Sequence, residues 1–430
     1  MTLAIPRVEP ASARITHQQV LAFLVAMVFV TSFYVKFEPA PTDLFVAMAV
    51  VVAIGGGLRF TPAIMPLLLF LLIYNVAGLV SYTLIPDDQL DSKAYLIGLA
   101  ETSISGIFFA AYVSADPATR YRQIIKAYWV GATIGAGLGL ISYFKIQPFY
   151  GLFPDYGGRA LGGYKDPNVY STWLVFPAVT MLQALMLGTL RLRPIAIISF
   201  MMIFAALFLA FSRGAWINAL TGTILTLFFS FVLAPATSVR GRIIAAGLLG
   251  TLVLGLALAA LLSYPPTRDL FLDRFTLVKS YDAGETGRFG NQLNSLPILQ
   301  TLPFGLGPYQ FAAIFDLAPH NTFLNSFSSA GWIGGITYML LILSDLIVGF
   351  RAMLVRTAFQ PYAIVSFSCL LSVVIQGVQI DTEHWRHLYW MTGLCWGFFA
   401  ASRYQLALKP SFEELAACWN LKFRPGAKAR

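Results

Sequence analysis

Arginine forks recognise phosphates, and histidine exchanges protons near neutral pH. This sequence places both residue types in short, glycine- or asparagine-rich settings. The first is Gly157-Gly158-Arg159-Ala160-Leu161-Gly162-Gly163-Tyr164-Lys165-Asp166-Pro167-Asn168. Its glycines let backbone approach a ligand closely. Asp166 is placed to cap a helix that Pro167 opens, so Arg159 and Lys165 stand near a positive helix end that suits an anion. The second, Phe211-Ser212-Arg213-Gly214-Ala215-Trp216, puts an arginine between two apolar runs with almost no connection. A charge at membrane depth must face protein or water. Glu285-Thr286-Gly287-Arg288 supplies another arginine, and Pro319-His320-Asn321-Thr322 holds one of only four histidines in the chain. Taken singly, each has a plainer reading: a glycine-rich turn, an arginine snorkelling to headgroups, a solvated loop charge, a structural histidine. Together they suit group transfer from a lipid-linked phosphate or pyrophosphate to a hydroxyl. The arginines would stabilise the leaving group without a metal, and His320 would take the acceptor's proton.

A further cluster, Asp381-Thr382-Glu383-His384-Trp385-Arg386-His387, is dense in ionisable groups. Carboxylates with histidines are able to ligate a divalent cation, to form a salt-bridged cap or to support a neighbouring site. The spacing matches no metal motif, so neither a metal nor a cofactor is expected.

The elements that must position these residues follow from composition. The chain has 430 residues, 57% hydrophobic and 11% charged, with mean hydropathy +0.71. An ordinary soluble domain is about one quarter charged. These figures exclude a soluble enzyme, a disordered protein and a secreted disulfide scaffold. Three cysteines without CxxC spacing support neither a disulfide framework nor a thiolate metal site. Apolar spans lie near 18–36, 43–58, 62–85, 94–115, 121–144, 167–189, 192–211, 214–234, 242–264, 331–350, 360–380 and 387–406. The expectation is therefore an all-α polytopic membrane protein of about 12 transmembrane helices. The net charge of +9 reflects basic loops on the cytoplasmic side, not nucleic-acid binding. That asymmetry places both termini in the cytoplasm.

The expected organisation is a cytoplasmic tail over 1–17, helices 1–9 over 18–264, a long periplasmic loop over 265–330, helices 10–12 over 331–406 and a cytoplasmic tail over 407–430. Within the loop, Leu293–Thr301 reads as helical, and Asn321–Ala330 reads as a short helix leading into the tenth span. Glu101 lies inside the fourth span, as a buried partner for an arginine or a proton relay. Asp116, Asp345, Asp87, Asp88 and Asp91 read as ordinary loop or helix-end residues.

Gly158-Arg159 with Asp166-Pro167-Asn168, Ser212-Arg213-Gly214-Ala215, Thr286-Gly287-Arg288, and His320-Asn321 followed by Gly331 and Gly334-Gly335 resemble, in order and spacing from about residue 145 to 350, the bacterial O-antigen ligase and O-antigen/exopolysaccharide polymerase superfamily. The resemblance implies a C-type glycosyltransferase-like helical fold in the bacterial inner membrane, with its site facing the periplasm. It implies a glycan donor on undecaprenyl pyrophosphate and a glycan or lipid A core acceptor, with metal-independent, inverting transfer. Other polysaccharide assembly proteins are candidate partners. Carried over by position, Arg159, Arg213 and Arg288 hold the pyrophosphate, and His320 is the base or orients the acceptor. Lys165, Asn168, Asn321, His384 and Arg386 join them as substrate-binding candidates. The alternatives are a transporter or flippase for lipid-linked oligosaccharide, and a non-catalytic assembly partner.

Overall fold

The computed structural model describes residues 16–85, 92–149, 157–190, 192–275, 284, 287–408 and 418–420. The helices are α1 (His17–Thr31), α2 (Pro41–Gly55), α3 (Met65–Thr83), α4 (Ser92–Ala115), α5 (Pro117–Tyr143), α6 (Pro167–Leu187), α7 (Arg193–Leu209), α8 (Arg213–Leu233), α9 (Thr237–Leu262), α10 (Pro265–Phe275), α11 (Arg288–Thr301), α12 (Phe311–Phe315), α13 (Thr322–Leu354), α14 (Gln360–Gln376) and α15 (Arg386–Leu408). The described residues form no strand; a single bridge pairs Tyr34 with Gly163. The all-helical expectation holds, and every apolar run of the sequence coincides with a helix.

Among the described residues, seven helices are long and apolar enough to cross a membrane: the 62–83 segment containing α3, then α4, α5, α6, α8, α9 and α13. Helices α1, α2, α7 and α14 are apolar but shorter. Leu248, Leu252 and Leu256 of α9 are 59–70% exposed. Apolar surface of this extent is compatible with a bilayer as solvent.

Local chemistry explains the helix starts. Thr16 and Gln19 form a capping box for α1, Asp116 caps α5 ahead of Pro117, and Asp166 caps α6 ahead of Pro167. Packing between helices uses small residues. A Cβ on Gly393 of α15 would lie 2.6 Å from the Gly106 carbonyl oxygen of α4, so glycine permits the close approach of these two helices. Aromatic rings fill the centre: Phe29 meets Phe109 at 5.2 Å, Trp390 at 4.9 Å and Tyr128 at 5.5 Å between centroids.

The region expected as one long loop is largely helical where described, through α10, α11 and α12. Residues 276–283, 285 and 286, including Glu285 and Thr286 of the third motif, lie outside the described residues, as do Asp87, Asp88 and Asp91. The helix expected over 293–301 begins earlier, at Arg288. The short helix after Asn321 stacks on the following span, and α13 contains both. They are separated by a break at Gly331, whose φ of +67° and ψ of −166° are non-helical. Residues 303–307 occupy the break. Trp332 N–H donates to the Pro303 carbonyl, and Leu306 N–H donates to the Ser328 carbonyl. A Cβ at position 331 would meet Pro303 and Phe304 backbone, so this position needs glycine. Asp345 is a correction: it is no end residue but lies buried within α13, bonded by Thr392 Oγ1 at 2.8 Å and Trp396 Nε1 at 2.6 Å. An internal carboxylate looks like an end residue when its partners lie on a distant helix.

Candidate functional site

The starts of α4, α6, α8, α13 and α15 gather at one end of the bundle. At α6, Asp166 Oδ1 accepts the Asn168 N–H at 2.6 Å. Arg159, 7% exposed, donates from Nε to the Ala210 carbonyl at 2.7 Å and from Nη2 to Asn168 Oδ1 at 3.0 Å. The Arg159 segment is thus tied to the end of α7 and the start of α6. Arg213 is the first residue of α8, not a loop residue, and Ser212 is its N-cap. Phe211 just before it has φ +49°, a conformation that costs a non-glycine residue about 1–2 kcal/mol. Gln376 at the end of α14 locks α6 and α8 together. It exchanges hydrogen bonds with Thr172, and Asn218 Nδ2 donates to its Oε1 at 2.6 Å. The Cβ that Gly214 lacks would lie 3.1 Å from Gln376 Nε2.

Asp381 clamps the start of α13. It accepts the backbone N–H of His320 at 3.1 Å and of Asn321 at 2.9 Å. His320 adopts φ +50°, and strain of this kind persists where surrounding contacts over-determine it. Asn321 then caps α13, its Oδ1 accepting the Phe323 and Leu324 N–H groups at 3.1 Å. Across the loop, Gln292 of α11 donates to the Pro319 carbonyl at 2.7 Å. The helix that begins with Arg288 is thereby tied to the segment before His320. The Arg288 guanidinium also stands 5.1 Å from the Phe289 ring centroid.

Glu383 is the hub beside the clamp. Fully buried, it accepts from Thr322 Oγ1 at 2.8 Å, Asn325 Nδ2 at 2.6 Å and Tyr95 OH at 3.3 Å, and meets His384 Nδ1 at 3.1 Å. The carboxylates considered as cation ligands are thus committed to helix caps and side-chain donors. Among the described residues, no group of three or more His, Cys, Asp or Glu side chains is placed to hold a metal ion.

Electrostatics in this loop are coupled. Burial, then the Glu383 charge, pushes the Asp381 carboxyl up to about 7 against the pull of His384 and the two backbone N–H groups. Burial works to raise Glu383 and to lower His384. Their mutual bond outweighs burial in both, leaving Glu383 below the usual carboxylate range and His384 above the usual imidazole range. Raised values mean that the folded state holds these protons more tightly than the unfolded chain. Stability from Asp381 therefore declines as pH rises from about 4 to 7. Stability from His384 is full below about 6.5 and is lost as pH rises through its raised value. Glu383 contributes in the opposite sense, losing its share only as pH falls into the acid range. Thermal unfolding in detergent should therefore occur at lower temperature at pH 8 than at pH 6, and His384→Gln should flatten that slope. A transition that climbs steadily from pH 6 to 8 in both proteins would contradict this coupling.

Lys165, His384 and Arg386 lie on the other side of the Glu383 hub. They line a cleft of about 620 Å3 with Asp43, Glu101 and Tyr95 among its other walls. Arg386 makes a bidentate bond to Asp43, Nε to Oδ1 and Nη2 to Oδ2, both at 2.6 Å. Glu101 faces this pair, bonded to the Asp43 carboxyl and within reach of the Arg386 charge. Lys165 pairs with Glu38 at 3.1 Å.

The candidates therefore fall into two groups. Arg159 with Asn168 and His320 with Asn321 are brought into direct contact or clamped by one carboxylate. Arg213 and Arg288 are placed at the first residues of helices connected to them. Lys165, His384 and Arg386 line a separate cleft whose walls include none of Arg159, Arg213, Arg288 and His320. The sequence offers Asp381 and Glu383 as metal ligands, cap or support without naming their partners, and it misses Asp43 as the Arg386 partner and Gln376 as the lock. A polar residue ending an apolar run was the available signal for Gln376. No family model matches the chain, and comparison with curated proteins finds no match.

Proposed function

We propose that this protein is a membrane glycosyltransferase of the O-antigen ligase or polysaccharide polymerase kind, moving glycan from undecaprenyl pyrophosphate to a sugar hydroxyl. The observation that carries the reading is the Asp381 clamp, which holds His320 in a strained conformation at the start of α13, at the bundle end where the Arg159 segment and Arg213 meet helix N-termini. The acceptor oxygen attacks the anomeric carbon as the carbon–oxygen bond to pyrophosphate breaks. The acceptor proton passes to His320. The leaving undecaprenyl pyrophosphate keeps the bonding pair, and the guanidinium groups of Arg159, Arg213 and Arg288 stabilise its growing charge. Attack opposite the leaving group inverts the anomeric centre. No metal is required in this scheme, and His320 and the arginines carry the chemistry.

In this reading all twelve helices of the apolar runs cross the bacterial inner membrane, with both termini cytoplasmic. Arg120, Arg122, Arg242 and Arg356 mark the cytoplasmic end, and the His320 end faces the periplasm. A flippase would place its polar groups near the bilayer midplane, whereas Arg159, Arg213, Arg288 and His320 lie at one end; the Asp345 carboxylate, bonded by Thr392 and Trp396, is the buried charge set deeper within α13. The test is a deletion strain whose surface and lipid-linked glycans are separated by gel and mass spectrometry. Single lipid-linked repeats without long chains indicate a polymerase; long chains left on undecaprenyl pyrophosphate with bare lipid A core indicate a ligase. Unaltered glycans would refute the assignment.

A further inference from the structure

We infer that the cavity between α5, α6, the α6–α7 connection and α14, at the bundle end opposite His320, is a binding site for the phosphate group of an anionic phospholipid. The cavity measures about 630 Å3, within the usual range for small-molecule sites of about 300–1,000 Å3. Arg122 and Lys126 are its charged wall residues, and no carboxylate lines it among the described residues. Both side chains are exposed, so an entering molecule reaches them directly. Spaced four apart, they share one face of α5, and Trp129 continues that face. Lys126 stands in the third turn of α5 and not in a loop. The charge asymmetry of loops does not put a cation there, nor does it clear a cavity of acids.

The excess of cations extends past the wall. The guanidinium groups of Arg193 and Arg242 lie 3.2 and 3.9 Å from where a Cβ on Gly188 would stand, and Leu187 and Thr189 on either side of that glycine line the cavity. Arg242 also fixes the wall. It donates to the Leu187 carbonyl at 3.0 Å and to the Trp419 carbonyl at 2.9 Å, beside Cys418 of the lining. Trp129 Nε1 donates to Thr180 Oγ1 at 3.0 Å, and Gln183 Nε2 donates to the Pro361 carbonyl at 2.8 Å. These bonds hold the walls in place, and the two cations are what the cavity offers a ligand.

Two cations with no acid beside them select an anion, and phosphate oxygens suit a guanidinium next to an ammonium. Ile125, Leu187, Leu190 and Leu192 line the same cavity, and Leu192 is 67% exposed. A soluble phosphate ester would leave these apolar groups uncovered. A phospholipid covers them with an acyl chain while its phosphate meets Arg122 and Lys126. Trp129 lies about 10 Å deeper along α5 than Arg122, the depth order of headgroup and aromatic belt at a bilayer surface. Basic pockets between membrane helices bind lipid headgroups by the same chemistry. The inference does not depend on the glycosyl-transfer reading.

Purified protein in detergent would be titrated with phosphatidylglycerol, with phosphatidylcholine of the same acyl chains, and with glycerol 3-phosphate, and the bound species counted by native mass spectrometry. Phosphatidylglycerol should bind saturably, about tenfold or more tightly than phosphatidylcholine. Arg122→Gln with Lys126→Gln should weaken it about 25-fold, about fivefold for each basic side chain at an anionic lipid surface. Arg351→Gln with Arg356→Gln, which removes two exposed cations of the same bundle end outside the cavity, should leave it unchanged. Lys126→Gln alone, with a loss of about fivefold, decides the matter if the double variant does not fold. Equal affinity for the two lipids, or a cavity variant that binds like the wild type, overturns the inference. Equal losses in both arginine-containing pairs assign the effect to the charge of the whole end and overturn it as well. Glycerol 3-phosphate binding as tightly as phosphatidylglycerol would make the ligand a soluble phosphate ester and remove the lipid.

Discussion

His320→Ala should lower glycan transfer by about 10²–10⁴-fold, the range that a positioned general base contributes, while the protein still inserts and purifies as a single species. The separation of effects follows from how the residue is held. Asp381 binds the backbone N–H of His320 and of Asn321, and Asn321 caps α13 through its own side chain. Neither contact uses the imidazole, so alanine leaves clamp and cap in place. Alanine at φ +50° bears the same left-handed strain as histidine, so the backbone cost is nearly unchanged. Asp381→Ala is the informative contrast. It removes the clamp, leaves two backbone donors at the start of α13 without their acceptor, and should lose activity together with thermal stability. Transfer at the wild-type rate in His320→Ala would remove the base from the mechanism outright. A loss of both expression and activity would assign His320 a structural part instead.

The sequence is most informative where the physics is local. An aspartate before a proline marks the start of α6, and the structure has Asp166 capping it at the expected position. The helix expected from Asn321 onward is the opening of α13, and the structure adds that the Asn321 side chain caps it. Apolar runs gave helices because backbone groups out of water must pair within their own segment. What escaped was long-range. Arg386 and Asp43 are 343 residues apart and meet only because α2 and α15 start at the same end of the bundle. Glu383 collects donors from α4 and α13, and no spacing within Asp381–His387 encodes that. Asp345 was misread for the same reason: its hydrogen-bond donors lie on α15. The break in α13 was visible only as a glycine. Its meaning depends on residues 303–307 packing into it.

Arg213→Lys should reduce transfer by about 10²–10³-fold, the loss typical of removing one preorganised donor to a developing anion, with little change in stability. The substitution keeps the positive charge and the favourable chain length, so a purely interfacial anchor would tolerate it. A planar fork that reaches two phosphate oxygens would not. The position sharpens this contrast. Arg213 is the first residue of α8, where backbone N–H groups still lack helical partners and the helix dipole favours negative charge. Ser212 caps the helix through Ala215 N–H, and the backbone turns at Phe211 with φ +49°. On the other side, the Gly214 position abuts Gln376, which ties α8 to α6 through Thr172 and Asn218. The side chain therefore projects from a fixed point, and lysine would start from the same place with a single ammonium in place of the fork. Steady-state kinetics against lipid-linked donor should show kcat falling by most of that factor with KM changed much less, because the missing bond forms chiefly as charge develops on the leaving oxygen. Full activity in Arg213→Lys would leave Arg159 and Arg288 as the only arginines for the leaving pyrophosphate and reduce Arg213 to an anchor at the membrane surface.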